Sequence, residues 1–303
     1  MVLSGKAGIV TGAGRGIGRE LALAMARAGA ALVVNDAGVA VDGSPQPERP
    51  AQAVVDEIAA AGGRAVADAG SVASYPAAER MVALSVEELG RLDFVVNNAG
   101  IVRDAIFHKM TEADWDAVIA VHLKGAFNLC RAAAERFRAQ QSGAFLNMTS
   151  TSGLIGNLGQ ANYAAAKLGV VALTRAIALD MRRYNVRANA IAPFAWTRMT
   201  GAIPETADAA SLQRVERLRS LKAADIAPLA VHLVSDAAAG VTGQVFAVRG
   251  AEIVLFSQPR PLASLHQPGG WTVESVAGRL SSLEPRFVPL EVTADVFPDD
   301  PML

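Results

Sequence analysis

Tyr163 and Lys167 stand four residues apart in NYAAAK, with only alanines between them. On a helix, positions i and i+4 share one face, so a phenol and an ammonium project side by side. A free phenol, with a pKa near ~10, is a poor base at neutral pH. A cation within about 4–6 Å lowers that value by roughly 1–3 units. Facing a ligand, the pair can move a proton; facing water, it is an ordinary surface pair. Ser150 closes an apolar run upstream, with Thr151 and Ser152 as hydroxyl-bearing neighbours. A serine at the carboxyl end of a strand sits where open α/β sheets bind ligands.

A second constellation lies near the N-terminus. TGAGRGIG (11–18) follows the apolar run AGIV and opens a helical stretch. Gly12, Gly16 and Gly18 place no side chain where the backbone must turn and approach a pyrophosphate, and the helix that starts there supplies N–H donors. The spacing is G-x-x-x-G-x-G, with Gly14 partly restoring the G-x-G-x-x-G form. Arg15 and Ile17 fall inside this motif. Asp36 ends the next apolar run. An acid there accepts hydrogen bonds from adenosine ribose hydroxyls and repels a 2′-phosphate. Arg15 argues the other way, because a guanidinium suits a 2′-phosphate. Like-charge repulsion is the stronger effect, so the expected cofactor is NAD.

These residues need a scaffold, and short apolar runs alternate with Ala-rich helical periods along the chain. Strands are expected at 7–10, 31–36, 64–68, 92–98, 143–150, 185–193 and 243–248, and helices at 17–30, 51–63, 77–90, 111–138, 160–183 and near 224–236. Thr111 opens its helix with the capping pattern T-E-A-D. Such alternation builds a parallel sheet covered on both faces, a doubly wound α/β fold of Rossmann type. Residues 1–250 read as one dinucleotide-binding catalytic domain. The Pro/Gly-rich loop 38–50 interrupts the rhythm. Residues 251–303 hold QPRP, HQPGG and FPDDP and no long periodic segment. They read as a Pro-rich C-terminal extension packed on the domain or on a partner subunit.

Composition narrows the function class. Of 303 residues, 51% are hydrophobic and 19% charged, with a formal net charge of −1, so a large core is available and no basic block invites nucleic acid. The single cysteine, Cys130, rules out an internal disulfide and reads as a buried thiol in FNLCRAA. The N-terminus does not look like a signal peptide, and no apolar run reaches the ~20 residues of a membrane span. A soluble cytoplasmic protein without membrane partners is expected. The histidines His108, His122, His232 and His266 lack ligand spacing, so no metal site is expected.

Taken together, TGAGRGIG, NNAG (97–100), the serine in MTSTSG and YAAAK resemble the short-chain dehydrogenases/reductases over roughly residues 5–250. That resemblance implies a seven-stranded parallel sheet and assembly as a homodimer or homotetramer. It implies that Tyr163 is the acid/base, Lys167 its electrostatic partner and holder of the nicotinamide ribose, and Ser150 the donor to the substrate oxygen. It places Asn98, Ala99 and Gly100, with the neighbouring Asn97, beside the adenosine or in the central sheet, and Pro193 and Thr197 at the nicotinamide. Most of the family has Asn where this chain has His122, a residue that helps hold water in a proton relay. Histidine hydrogen-bonds through either ring nitrogen and could take that part. Gly70 replaces an adenine-contacting Asp common in relatives, with Asp68 nearby.

VVND, the long loop to GGRAV, AVHLKGAF, GNLGQANYAAAKLG and IAPFAWTRMT look like the (3R)-hydroxyacyl-CoA dehydrogenase part of peroxisomal multifunctional enzyme type 2 and its bacterial stand-alone relatives. The substrate this implies is an acyl-CoA thioester. By residue type, Phe194, Trp196, Met199 and Ile203 suit an apolar substrate wall or core packing equally, and Arg198, Arg103 and Lys109 suit either a CoA phosphate or, more commonly, a solvated surface. A free alcohol, steroid or aromatic substrate would use the same catalytic residues. A non-catalytic NAD(H)-binding subunit of a hetero-oligomer is the alternative from another class.

Overall fold

Adjacent residues on a strand point to opposite faces, and here both faces are buried. Ile9 and Val10, Val33 and Val34, Val95 and Val96, and Phe145 and Leu146 each divide between two hydrophobic clusters. A computed structural model describes residues 1–44, 46, 48–197 and 219–297. Its strands are β1 (Ala7–Thr11), β2 (Ala31–Asn35), β3 (Ala65–Asp68), β4 (Phe94–Asn97), β5 (Gly143–Met148), β6 (Val186–Phe194), β7 (Val245–Arg249) and β8 (Glu252–Leu255), in spatial order β3-β2-β1-β4-β5-β6-β7-β8. Helices α1 (Gly16–Arg27) and α2 (Pro50–Ala60), with Ala227–Val234, cover one face; α3 (Tyr75–Leu89), α5 (Gly125–Gln140) and α7 (Ala161–Asp180) cover the other. Strand order reverses between β1 and β4, so the loops leaving these strands diverge and open a crevice at the carboxyl edge.

The sheet departs from the expected seven strands. The first seven are parallel, but EIVL forms an eighth, antiparallel to β7 through a two-residue turn at Gly250 and Ala251. Gly250 has φ +57°, the left-handed conformation that such a turn favours. Arg249 and Glu252 face each other in register and form an ion pair at 2.8 Å. The extension then returns over the carboxyl edge. Thr293 donates its backbone N–H to the Gly156 carbonyl at 3.0 Å, and the Phe297 ring meets Phe194 at 5.2 Å between centroids.

Two further details bear on the site. Thr111 caps α4 (Glu112–Ile119) in a reciprocal box with Asp114, as T-E-A-D implied. The expected helix 111–138 is present as a continuous helical run over 112–140, with a π-type turn over Ala120–Lys124 inside it that carries the buried His122. In the sheet centre, Asn97 and Asn147 are register partners, and Asn97 Nδ2 donates to Asn147 Oδ1 at 2.8 Å. Asn147 in turn donates to Thr174 Oγ1 on α7 at 2.9 Å. Cys130 lies buried beside Asn97, and burial pushes its thiol up to about 12.

Candidate active site

Helix α7 is fastened to the ends of two strands. Buried Asn162 donates to the carbonyls of Arg103 at 2.9 Å and Asp114 at 3.1 Å, tying the helix start to the region after β4. Thr149 Oγ1, just past β5, donates to the Lys167 carbonyl at 2.7 Å, and Lys167 Nζ donates to the Met148 carbonyl at 2.7 Å. The lysine is therefore an interior residue, 5.6 Å from the Tyr163 ring centroid. Ser150 caps the short helix α6 (Thr151–Leu154), accepting from Ser152 N at 3.1 Å, and hydrogen-bonds the Tyr163 phenol. Ser152 is engaged elsewhere, with Gln160, so Ser150 is the hydroxyl that meets the tyrosine.

Burial governs the electrostatics of the pair. It pushes the Tyr163 phenol up to about 12, against the Ser150 hydrogen bond, while the Asp104 carboxylate adds to the rise. It pulls the Lys167 ammonium down to about 7. From spacing alone, the lysine is expected to lower the phenol. In the folded chain desolvation of both groups outweighs that attraction, and half the lysine's charge is lost near neutrality.

His122 packs edge-on against Tyr163, with ring centroids 5.1 Å apart. Its Nε2 lies 2.7 Å from the Ile101 carbonyl and 3.1 Å from the Ile101 amide. The shorter contact assigns the proton to Nε2. Nδ1 is then a buried acceptor without a partner among the described residues. Burial, followed by the Lys167 charge, holds this imidazole well below its usual range, so it is neutral. A small space of about 10 Å³ adjoins it, lined also by Lys167, Thr11 and Asn97.

A cavity of about 530 Å³ opens at the β1/β4 switch point, a size typical of ligand sites. Gly12, Arg15, Gly16, Ile17, Asp36, Asn98, Ala99, Gly100 and Thr197 line it, and Tyr163, Lys167 and Ser150 do not. Gly18 lies beneath the wall, where an added Cβ would stand 2.2 Å from the Gly12 carbonyl oxygen. Pro193 pairs with Val248 in the sheet and is absent from the lining. Asn98 Nδ2 donates to the carbonyls of Thr11 and Gly12 at 3.0 and 3.1 Å, holding the glycine turn from below. Gly12 and Gly16, with φ of +61° and +53°, turn the chain into α1. This cradle of bare backbone at a helix start fits a dinucleotide.

Asp36 accepts from Gly14 N at 3.0 Å and Gly38 N at 2.9 Å, one per oxygen. Arg15 forms an ion pair with Glu48, from the inserted loop. That loop also forms a cavity wall with Val39, Ala40, Val41 and Gly43, and its Val41 carbonyl accepts from Val102 N at 2.9 Å. Asp68 turns its Oδ1 to Asn35 and Gly70, while Gly70 itself lines the cavity.

On the substrate side, Arg103 lines the cavity but spends its Nε on the Asp42 carbonyl at 3.0 Å. Lys109 is exposed on a short turn. The Arg219 guanidinium lies over the Trp196 ring at 5.4 Å, and Phe194 contacts the extension. Arg198, Met199 and Ile203 lie outside the described residues. Asn162, Asp104 and Gln160 carry no recognisable signal in the sequence: Asn162 donates to carbonyls, and Asp104 accepts from an amide, 48 or more residues away, and the nearby Ser152 and Asn157 that meet Gln160 form no known motif with it.

The family model for short chain dehydrogenases matches residues 6–208. The hydroxyacyl-CoA dehydrogenase ChsB1 of Mycobacterium tuberculosis is 44% identical over 273 residues, covering 85% of this chain and 81% of that protein. Peroxisomal multifunctional enzyme type 2 of Mus musculus is 42% identical over 230 residues, covering 76% of this chain and 30% of that protein. A crystal structure of a short chain dehydrogenase from Mycobacterium avium matches with a TM-score of 0.83 and 40% identity, covering 96% of this chain and 99% of that one. A gluconate 5-dehydrogenase from Burkholderia cenocepacia, solved with NADP and tartrate, matches with a TM-score of 0.73 and 32% identity, covering 82% and 95% of the two chains. With its serine, tyrosine and lysine gathered beside a dinucleotide-shaped cradle, the chain belongs to the short-chain dehydrogenase family.

Proposed function

We propose that this protein is an NAD-dependent dehydrogenase that interconverts a (3R)-hydroxyacyl-CoA and its 3-oxoacyl-CoA. The single observation that carries the reading is the Ser150–Tyr163–Lys167 cluster at the carboxyl edge, set beside a glycine-lined cavity. The similarity to the hydroxyacyl-CoA dehydrogenase ChsB1 supports the substrate class.

The bound nicotinamide supplies a hydride acceptor or donor. The chain's own residues do the proton work. Ser150 accepts from Ser152 N–H, which leaves its own hydrogen to donate to the substrate oxygen. Tyr163 takes the hydroxyl proton during oxidation and returns it during reduction. Lys167 holds the cofactor ribose, and its charge favours the phenolate once both face a polar ligand rather than each other's burial. His122 Nδ1 and Lys167 border a space near the minimum for one water, which fits His122 as the substitute for the relay Asn.

Asp36 beside the adenosine position, with Arg15 engaged by Glu48, favours NAD over NADP. Gly12, Gly16, Ile17, Gly18, Asn98, Ala99, Gly100, Pro193 and Thr197 complete the binding surface in this reading. Residues 251–303 serve as an extension of one catalytic unit, 1–250. Exposed Trp115, Phe127, Leu168 and Leu179, on α4, α5 and α7, provide apolar faces for a homodimer or homotetramer in the cytoplasm.

The test mixes purified protein with NAD or NADP and separate (3R)- and (3S)-hydroxyacyl-CoA thioesters, following absorbance of the reduced nicotinamide. Turnover of the R series with NAD is expected. Tyr163→Phe should abolish it, by roughly 10²-fold or more, with little change in NAD affinity. Turnover retained in that variant would sink the mechanism; activity on free alcohols alone would redirect the substrate class.

A further inference from the structure

Beyond the serine, tyrosine and lysine, a polar chain runs from the rim to the catalytic turn. Gln160 caps α7 without using its side chain on the helix. Its Oε1 accepts from Ser152 Oγ at 2.8 Å and from Asn157 Nδ2 at 3.1 Å, and its Nε2 donates to Asp104 Oδ2 at 2.8 Å. Two donors at one end and a carboxylate at the other fix the amide in one orientation. Ser152 must then donate to Gln160, and its backbone N–H donates to Ser150 Oγ at 3.1 Å. The Gly159 carbonyl accepts from Ala105 N at 2.9 Å, so the Asp104 segment is held to the same helix start. Asp104 has no ion-pair partner among the described residues, since Arg103 turns to Asp114 and the Asp42 carbonyl.

We propose that Gln160 and Asp104 are positioning residues: Gln160 locks the Ser150–Ser152 turn against α7, and the Asp104 carboxylate fixes that amide in the orientation that accepts from Ser152. Two titratable groups lie against the Tyr163 ring, Lys167 from its own helix and neutral His122 from the π-type turn, while Asp104 reaches the site through Gln160 and the Ser152–Ser150 turn. This inference rests on the proposed acid/base role of Tyr163 but not on the identity of the substrate.

The experiment compares kcat and NAD affinity across variants of the full chain. Asp104→Asn keeps an acceptor for Gln160 and should leave kcat near the parent value, whereas Asp104→Leu removes the acceptor and should lower it. Gln160→Leu, with circular dichroism confirming the fold, should lower kcat about 10-fold or more while NAD affinity is unchanged. Gln160→Glu keeps the acceptor for Ser152 but meets Asp104 with like charge, and should show the same kcat loss, relieved when Asp104→Asn is added. A folded Gln160→Leu with unchanged kcat, or a Gln160→Glu loss that Asp104→Asn does not relieve, overturns the proposal. Absence of hydroxyacyl-CoA turnover in the unaltered protein would count against the proposed substrate, and the kcat comparison would then be made on whichever secondary alcohol it oxidises.

Discussion

Lys167→Met should make the protein more stable near neutrality, although it removes a residue at the heart of the site. The lysine is buried, and burial lowers its folded pKa from 10.5 to about 7. Between these values the unfolded chain binds the proton more fully than the folded one, so stability rises with pH across that window. At pH 7 the penalty for folding this lysine is about 4 kcal/mol, and at pH 9 about 2 kcal/mol, at 1.36 kcal/mol per unit. Methionine matches the stem and carries no charge, but it leaves the Met148 carbonyl without the 2.7 Å donor. That loss costs about 1–3 kcal/mol. The balance is a gain of about 1–3 kcal/mol at pH 7. The assay is urea unfolding of both proteins, without cofactor and at matched concentration, at pH 7 and 9. The stability difference should shift toward the parent by about 2 kcal/mol on raising the pH, since other groups cancel in the comparison. A difference that does not move with pH, or that moves the other way, refutes a neutralised lysine in the fold.

Gly18→Ala should weaken NAD binding by roughly 10-fold or more, because its Cβ would stand 2.2 Å from the Gly12 carbonyl oxygen and 2.4 Å from Asn98 Nδ2, neither of which can retreat without moving the glycine turn; fluorescence titration with NADH reads this directly. Glu48→Gln releases Arg15 from its ion pair. The Kd for NADP should fall relative to that for NAD, by up to about 5-fold for a bond of about 1 kcal/mol, and equal ratios in parent and variant would remove Arg15 from cofactor choice.

The strands and the glycine turn were legible because their signals are local. AGIV, ALVVN and FLNM are β-branched or apolar runs next to turn residues, and Thr111 carried its cap in four letters. β8 was missed since EIVL is only four residues long and lies in a Pro-rich stretch, and its pairing depends on β7 being present. The π-type turn at Ala120–Lys124 left no trace in the apolar period, which tolerates one extra residue. At the site, i,i+4 spacing correctly put Tyr163 and Lys167 together, but spacing says nothing of desolvation, and that decided both pKa values. Gln160 and Asp104 are 56 residues apart and meet only through the fold.

The Asn97–Asn147 pair has a consequence for how the chain finds its native alignment. β4 reads FVVN and β5 GAFLNM, and both faces of each strand are buried in apolar surroundings. A slip of two residues between such parallel strands would keep every side chain on its own face and exchange one apolar contact for another. Hydrophobic burial alone thus discriminates poorly between native and slipped ladders. The paired amides do so sharply: a slipped ladder would strand both in the interior, at about 1–3 kcal/mol each. The price of placing amides at the sheet centre is thereby returned as fidelity, because the two loops that carry Asn98 and Ser150 reach the crevice together only when that one pairing has formed.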